Sequence, residues 1–297
     1  MTTPSAPLTD LPVGISMIDG LGSLPAVAVA HPSATALIYL HGAHVAEWCP
    51  TGQLPVLWMS ALSRYSTADP LRGGIPLCFP WFGKNATDAT LPNHGWARLA
   101  EWTLISAESG ADAAELTFEL TEQSVGVPDG TAPMRLLYVV TVGAELTADL
   151  QVINTADRDL TFEEAFHTYV TVGEITATTI GGFENLPYLD RAATPEATGV
   201  SAQRVLFGGE HLERIYPMPA LIDVDDAAQS RVITVVAPAS AQSVIWNPGS
   251  VKAADIADFG DDEFTSMVCV EAANVLDGAI TLAPGASNHM TTTLAVR

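Results

Sequence analysis

Residues 145–154 read ELTADLQVIN, and the period of their apolar positions decides the fold class. Leu146, Ala148, Leu150 and Val152 fall at every second place, with Thr147, Asp149 and Gln151 between them. Successive side chains of an extended chain point to opposite faces, so this spacing predicts a strand with one buried face and one wet face. Residues 114–123, AELTFELTEQ, repeat the pattern with Leu116, Phe118 and Leu120. Further β-rich runs are ATALIYLHGAHVAEW, RLLYVVTV, RVITVVAP, QSVIWN, TSMVCVEA and HMTTTLAVR, mostly bounded by Gly, Pro, Asn or Asp. No long stretch carries a 3.6-residue apolar period. Short strands punctuated by 20 prolines and 23 glycines predict an all-β fold, a large antiparallel sandwich rather than alternating βαβ units. With no linker, composition break or repeat, residues 11–297 read as one domain behind a loose segment, 1–10. The irregular stretch EATGVSAQRVLFGGEHLERIYPMP is expected to cross a surface or a cleft rim.

The bulk numbers exclude some partners. A net charge of −22 and a pI near 4.3 oppose binding to nucleic acid or an anionic membrane, and fit solubility, also at high salt. An anionic ligand must then find a local patch of arginine. Cys49, Cys78 and Cys269 are odd in number, lack CxxC spacing and sit among apolar residues, so they read as core thiols in a reducing compartment. The N-terminus has neither a basic nor an apolar leader region, and no apolar run reaches the roughly 18 residues of a membrane span. A soluble cytoplasmic protein is expected.

Against this acidic background only 12 side chains are basic, and Arg72 stands before Gly73 and Gly74 in LRGGIPLCFPWFG, residues 71–83. Glycines let a ligand approach the backbone, and guanidinium forks grip phosphate or carboxylate oxygens in pairs. Arg98 closes PNHGWAR, so two arginines either hold one phosphate or each make a structural salt bridge. Glu271 interrupts the apolar run of Met267, Val268, Cys269 and Val270. A carboxylate there is either satisfied by buried hydrogen bonds or raised in pKa by desolvation toward the range of a proton-transfer base. His167, in FEEAFHTYV, is either a satisfied core histidine or that base's partner. His94 lies in a glycine-flanked turn beside Trp96. His41 and His44 lack a third ligand at metal-site spacing, and neither a P-loop, a dinucleotide fingerprint nor a GxSxG elbow is present.

Taken together, LRGGIPLCFPWFG, NHGWARLAEW, EEAFHTYVTVGEI, ERIY, VIWNPGSVKAADIADFGDDEF, VCVEAANV and LAPGASNHMTTTL resemble the glucose-6-phosphate 1-epimerases, or hexose-6-phosphate mutarotases, of the aldose 1-epimerase superfamily. The pieces run in family order from about residue 25 onward. The resemblance implies a galactose-mutarotase-like β-supersandwich with a sugar cleft on a concave face. It puts the acid histidine on His167, the base glutamate on Glu271, a substrate histidine on His94, and the phosphate arginines on Arg72 and Arg98. Glu213 stands where many relatives carry aspartate, and Trp81 is expected to line the cleft. The implied partner is a sugar phosphate bound by a monomer, with no cofactor and no metal. The rivals are an epimerase of unphosphorylated aldoses and a non-catalytic carbohydrate-binding protein.

Overall fold

The computed structural model describes residues 5–297, and strands dominate it. The alternation in Leu146–Asn154 becomes a strict inside–outside pattern, with every even-numbered residue from 146 to 154 buried. Met134–Gly143 pairs with it antiparallel, Leu136 opposite Val152 and Tyr138 opposite Leu150, so their apolar rows share one face. These two strands sit within a nine-stranded sheet whose order is Val205–Leu206, Thr178–Gly181, Ile222–Asp226, Arg231–Val236, Ser287–Val296, Leu146–Asn154, Met134–Gly143, Ala113–Thr121 and Thr103–Ser109. Ser287–Val296 therefore lies in mid-sheet, between Arg231–Val236 and Leu146–Asn154.

An eight-stranded antiparallel sheet packs against the apolar face of the first. Its path runs Ala197–Val200, Pro187–Asp190, Leu212–Pro217, Gln242–Asn247, Met267–Asn274, Glu164–Phe166 and Leu77–Cys78, with Tyr169–Thr171 also pairing to Met267–Asn274. One apolar cluster joins the layers, Leu150 and Val152 from the first sheet meeting Phe166, Ile245, Val268 and Val270 from the second. A four-stranded sheet from Ile15–Asp19, Pro25–His31, Ala34–Tyr39 and His44–Pro50 adds Val27, Ile38 and Val45 to the same cluster. All-β, antiparallel and layered, this is the sandwich expected.

Met267–Asn274 is buried at all eight of its residues. Val268, Val270 and Ala272 enter the inter-sheet core, while Met267, Cys269 and Glu271 take the opposite face. That face forms the floor of a cleft. The irregular 196–219 stretch contributes three short strands, and Leu212–Pro217 borders the cleft beside Gln242–Asn247. Of the segment expected to be loose, residues 1–4 lie outside the described residues; beyond them Ser5 N–H donates to Glu119 Oε2 at 2.6 Å and Leu8 N–H to the Leu104 carbonyl at 2.9 Å. Among the described residues no helix is long and apolar enough to cross a membrane.

Candidate active site

The antiparallel register brings the two central residues together. Phe166 lies opposite Ala272 and Tyr169 opposite Cys269, so continuing the count sets His167 across from Glu271 on the cleft face. His167 Nε2 stands 3.4 Å from Glu271 Oε1. The imidazole is held by rings on three sides: Tyr169 stacks on it at 4.8 Å between centroids, and His94 and Trp246 present edges at 5.3 and 6.1 Å. His167 Nδ1 and Glu271 Oε2 are buried without a hydrogen-bond partner.

Burial sets the protonation of this pair. Desolvation, joined by the repulsion of Glu213, raises the Glu271 pKa well above the ordinary carboxylate range. Desolvation, with the positive charges of Arg98 and Arg72, pushes His167 down to about 3. In the free site burial thus favours the uncharged form of both groups, with the proton that could pass between them held on Glu271 rather than on His167.

His94 sits at φ +61° with Nδ1 accepting from Gly83 N–H at 3.3 Å, which leaves the ring proton on Nε2 as a donor. Burial and the nearby Arg98 and His167 hold its pKa well below the usual value. Arg98 reaches the site from the Ala97–Leu99 turn and is itself buried, with Nη2 donating to the Asn93 carbonyl at 2.6 Å. Its Nε has no partner, and among the described residues no carboxylate forms an ion pair with it. Desolvation, reinforced by Arg72, lowers its pKa. A buried guanidinium in this condition is costly until an anion arrives.

Arg72 is differently placed. Its Nε and Nη2 donate to Asp258 Oδ1 at 3.2 and 3.1 Å, and Nη1 donates to Tyr169 Oη at 3.1 Å. Part of the fork is thus engaged by protein, and although burial works against its charge, Tyr169 and Asp258 raise its pKa. The two glycines beside it serve the chain itself and not a ligand. At φ +118° and +59°, Gly73 and Gly74 run so close to their neighbours that a Cβ would strike Trp58 and Met59 at the first and Val45 and His44 at the second. This packing fixes where Arg72 emerges.

Glu213 lies at the cleft wall and gathers three basic groups: His211 at 3.5 Å, Lys252 at 3.6 Å and Arg191 at 3.7 Å. Burial alone would raise its pKa, but His211, Lys252 and Arg191 hold it below the usual range. Trp81, expected in the cleft, is not among its lining residues. Its indole N–H turns away to the Pro92 carbonyl at 3.0 Å, and the neighbouring Phe82 lines the cleft instead. His41 and His44 serve the scaffold, His41 Nε2 donating to the Asp69 carbonyl at 2.9 Å and His44 lying buried under Gly74.

Arg72, His94, Arg98, His167, Glu213 and Glu271 thus converge on one cavity of about 260 Å³. The sequence reading gave no role to Tyr169, Trp246, Lys252, Asn93 or Asp258. Tyr169 ends the FHTY motif, and Trp246, Lys252 and Asp258 all lie in VIWNPGSVKAADIADFG, so the motif was visible although the contacts were not. Residues 25–295 match the model of the aldose 1-epimerase family. The chain belongs to that family. Within the aldose 1-epimerase family its similar relatives include a protein named "Putative glucose-6-phosphate 1-epimerase" from Escherichia coli K12, 33% identical over 254 residues, which span 85% of this chain and 84% of that one. The relative of the same name from Salmonella typhimurium LT2 is 32% identical over 84% of this chain and 83% of its own length. A crystal structure of a "putative mutarotase" from Salmonella typhimurium superposes with a TM-score of 0.87, 28% identity and coverage of 98% and 96% of the two chains. A galactose mutarotase-like protein from Clostridium acetobutylicum shares the fold at a TM-score of 0.73, covering 95% and 98%, with 14% identity. Membership of the aldose 1-epimerase family makes this chain an enzyme that interconverts sugar anomers.

Proposed function

We propose that the substrate is a hexose 6-phosphate, with glucose 6-phosphate the first to test, and that Glu271 and His167 exchange protons with its anomeric centre. One observation carries this reading: a buried Arg98 without a counter-ion shares a cavity with a buried carboxyl–imidazole pair. The first feature calls for an anion and the second for a proton-exchanging group, and a sugar phosphate supplies both. In a chain of net charge −22, the cleft also collects Arg72 and Lys252.

The phosphate arriving at Arg98 and Arg72 offsets the two positive charges that depress His167. The imidazole becomes more basic, and the pair's proton crosses the 3.4 Å from Glu271 Oε1 to His167 Nε2. Glu271, now a carboxylate, removes the proton from the anomeric hydroxyl while His167 delivers its own to the ring oxygen. The C1–O5 bond breaks, the aldehyde forms, and rotation about C1–C2 presents the other carbonyl face before the ring closes in reverse. His94 Nε2–H donates to the sugar near the ring oxygen, and Glu213 accepts from its hydroxyls. The anchored phosphate keeps C1 in place through the open-chain stage.

Exchange spectroscopy on the anomeric protons tests this directly, with glucose 6-phosphate and free glucose compared at equal concentration. The phosphorylated sugar is expected to exchange faster, and Arg72→Ala to raise its KM by roughly 10- to 100-fold, the equivalent of one charge-assisted contact. Equal turnover of free glucose by the parent protein would reassign the chain to unphosphorylated aldoses. Cys49, Cys78 and Cys269 carry free thiols, in keeping with a cytoplasmic location.

A further inference from the structure

We infer that the cleft floor is also an inhibitory binding site for a thiophilic divalent cation of the Zn2+ class, held by Cys269 Sγ, His167 Nε2 and Glu271 Oε1. The ligand atoms offered by these three residues all lie within 4.8 Å of one another, and all three residues are buried. Strand periodicity is responsible: Cys269 and Glu271 are two apart on one face of Met267–Asn274, and His167 faces Glu271 across the register. The 3.4 Å between His167 Nε2 and Glu271 Oε1 is already close to the roughly 3.3 Å edge of a tetrahedron with metal–ligand bonds of about 2.0 Å. Cys269 Sγ lies beneath that edge, within 4.8 Å of both other ligand atoms, and His167 and Glu271 line the cleft from which an ion would enter.

The donor set is chemically selective. A thiolate, an imidazole and a carboxylate suit zinc, cobalt or copper and reject magnesium and calcium, which need oxygen ligands. Bound as thiolate and carboxylate, Cys269 and Glu271 supply two negative charges that cancel those of the dication, so the metal–ligand unit carries no net charge. Arg72 and Arg98 therefore do not repel the complex as they would a bare cation. Cys269 packs with Trp58, Tyr169 and Met267 and has no part in the proton exchange.

The binding half of the inference stands on the ligand set, while the inhibitory half rests on the proposed roles of His167 and Glu271, and the two are measured separately. Co2+ titrated into the chelator-treated protein is expected to give a thiolate-to-cobalt charge-transfer band saturating at one equivalent and bleached by Zn2+. The band should persist in Cys49→Ser and vanish in Cys269→Ala and in the closer-packed Cys269→Ser. In the anomer-exchange assay Zn2+ should compete with the sugar phosphate. Cys269→Ala should need at least tenfold more Zn2+ for the same inhibition while its metal-free kcat stays at the parent value. No band in the parent protein, a band retained in both Cys269 variants, or Zn2+ inhibition unchanged by Cys269→Ala overturns the inference. A chain that turned over no sugar at all would still be decided by the cobalt band.

Discussion

Two strands of this molecule make opposite uses of the same pleat. Leu146–Asn154 alternates buried and half-exposed residues, and its polar row needs nothing but water and neighbours. Met267–Asn274 is buried on both faces, so a polar residue in it has to find a partner inside the protein or serve a ligand. In the first strand a charged side chain such as Asp149 is ordinary surface. In the second, Glu271 is a carboxyl whose Oε2 has no partner and whose pKa burial has raised. Burial on the second face is what leaves that carboxyl without water to satisfy it.

The largest expected effect breaks the second strand's role and spares the first. Glu271→Gln keeps size and polarity but cannot exchange protons, so kcat should fall by about 10²- to 10⁴-fold with the circular-dichroism spectrum unchanged, and His167→Ala should fall in the same range. Parental rates in either variant would return both residues to a structural role. The converse change is Leu150→Ala, on the core side of the alternating strand, which should cost about 2–5 kcal/mol in denaturant unfolding while the folded fraction retains its kcat.

Glu164 sharpens the comparison, because it is a second buried carboxyl but on the core side. Its Oε1 accepts from Asn274 Nδ2 and from Asn288 Nδ2, both at 2.8 Å, which stitches the two sheets together. Burial raises its pKa from 4.5 to about 7 despite those bonds. Between these values the folded chain holds a proton that the unfolded chain has released, so this group makes stability fall as pH rises. Glu164→Gln should flatten that slope by an amount on the order of 3 kcal/mol across the window, read from unfolding curves at pH 5 and 7, with turnover intact. The smallest effect belongs to Trp81→Phe, which should lose about 1 kcal/mol of stability with its bond to Pro92 and leave kcat/KM unchanged. A raised KM would return Trp81 to the cleft.

The same contrast explains what could be read from sequence. Period-2 spacing is a local signal, and it announced Leu146–Asn154 and Ala113–Thr121 without any knowledge of their neighbours. Glu271 was conspicuous because its four predecessors are apolar. Its distance from His167 was not legible, since register between segments so far apart in the chain is a tertiary property. The glycines after Arg72 were assigned to ligand approach because a sequence shows the missing Cβ but not which backbone fills the space; Trp58 and Val45 fill it. Trp81 and Phe82 are adjacent and aromatic, and only the turn decides which of them faces the cleft. Glu164 hid beside Glu163, whose Oε2 accepts from Phe82 N–H at 2.8 Å, because a pair of acids reads as surface until a second sheet covers one of them.

The mid-sheet position of Ser287–Val296 has a consequence for synthesis. Until that segment has emerged from the ribosome, Arg231–Val236 and Leu146–Asn154 have no strand to separate and join them, and the wide sheet exists as two pieces with raw edges. A nascent chain halted at residue 286 already carries His167 and Glu271, yet lacks the strand that closes the layer beneath them. Such a stalled chain should be a client for chaperones, with its edges free to pair with those of another copy.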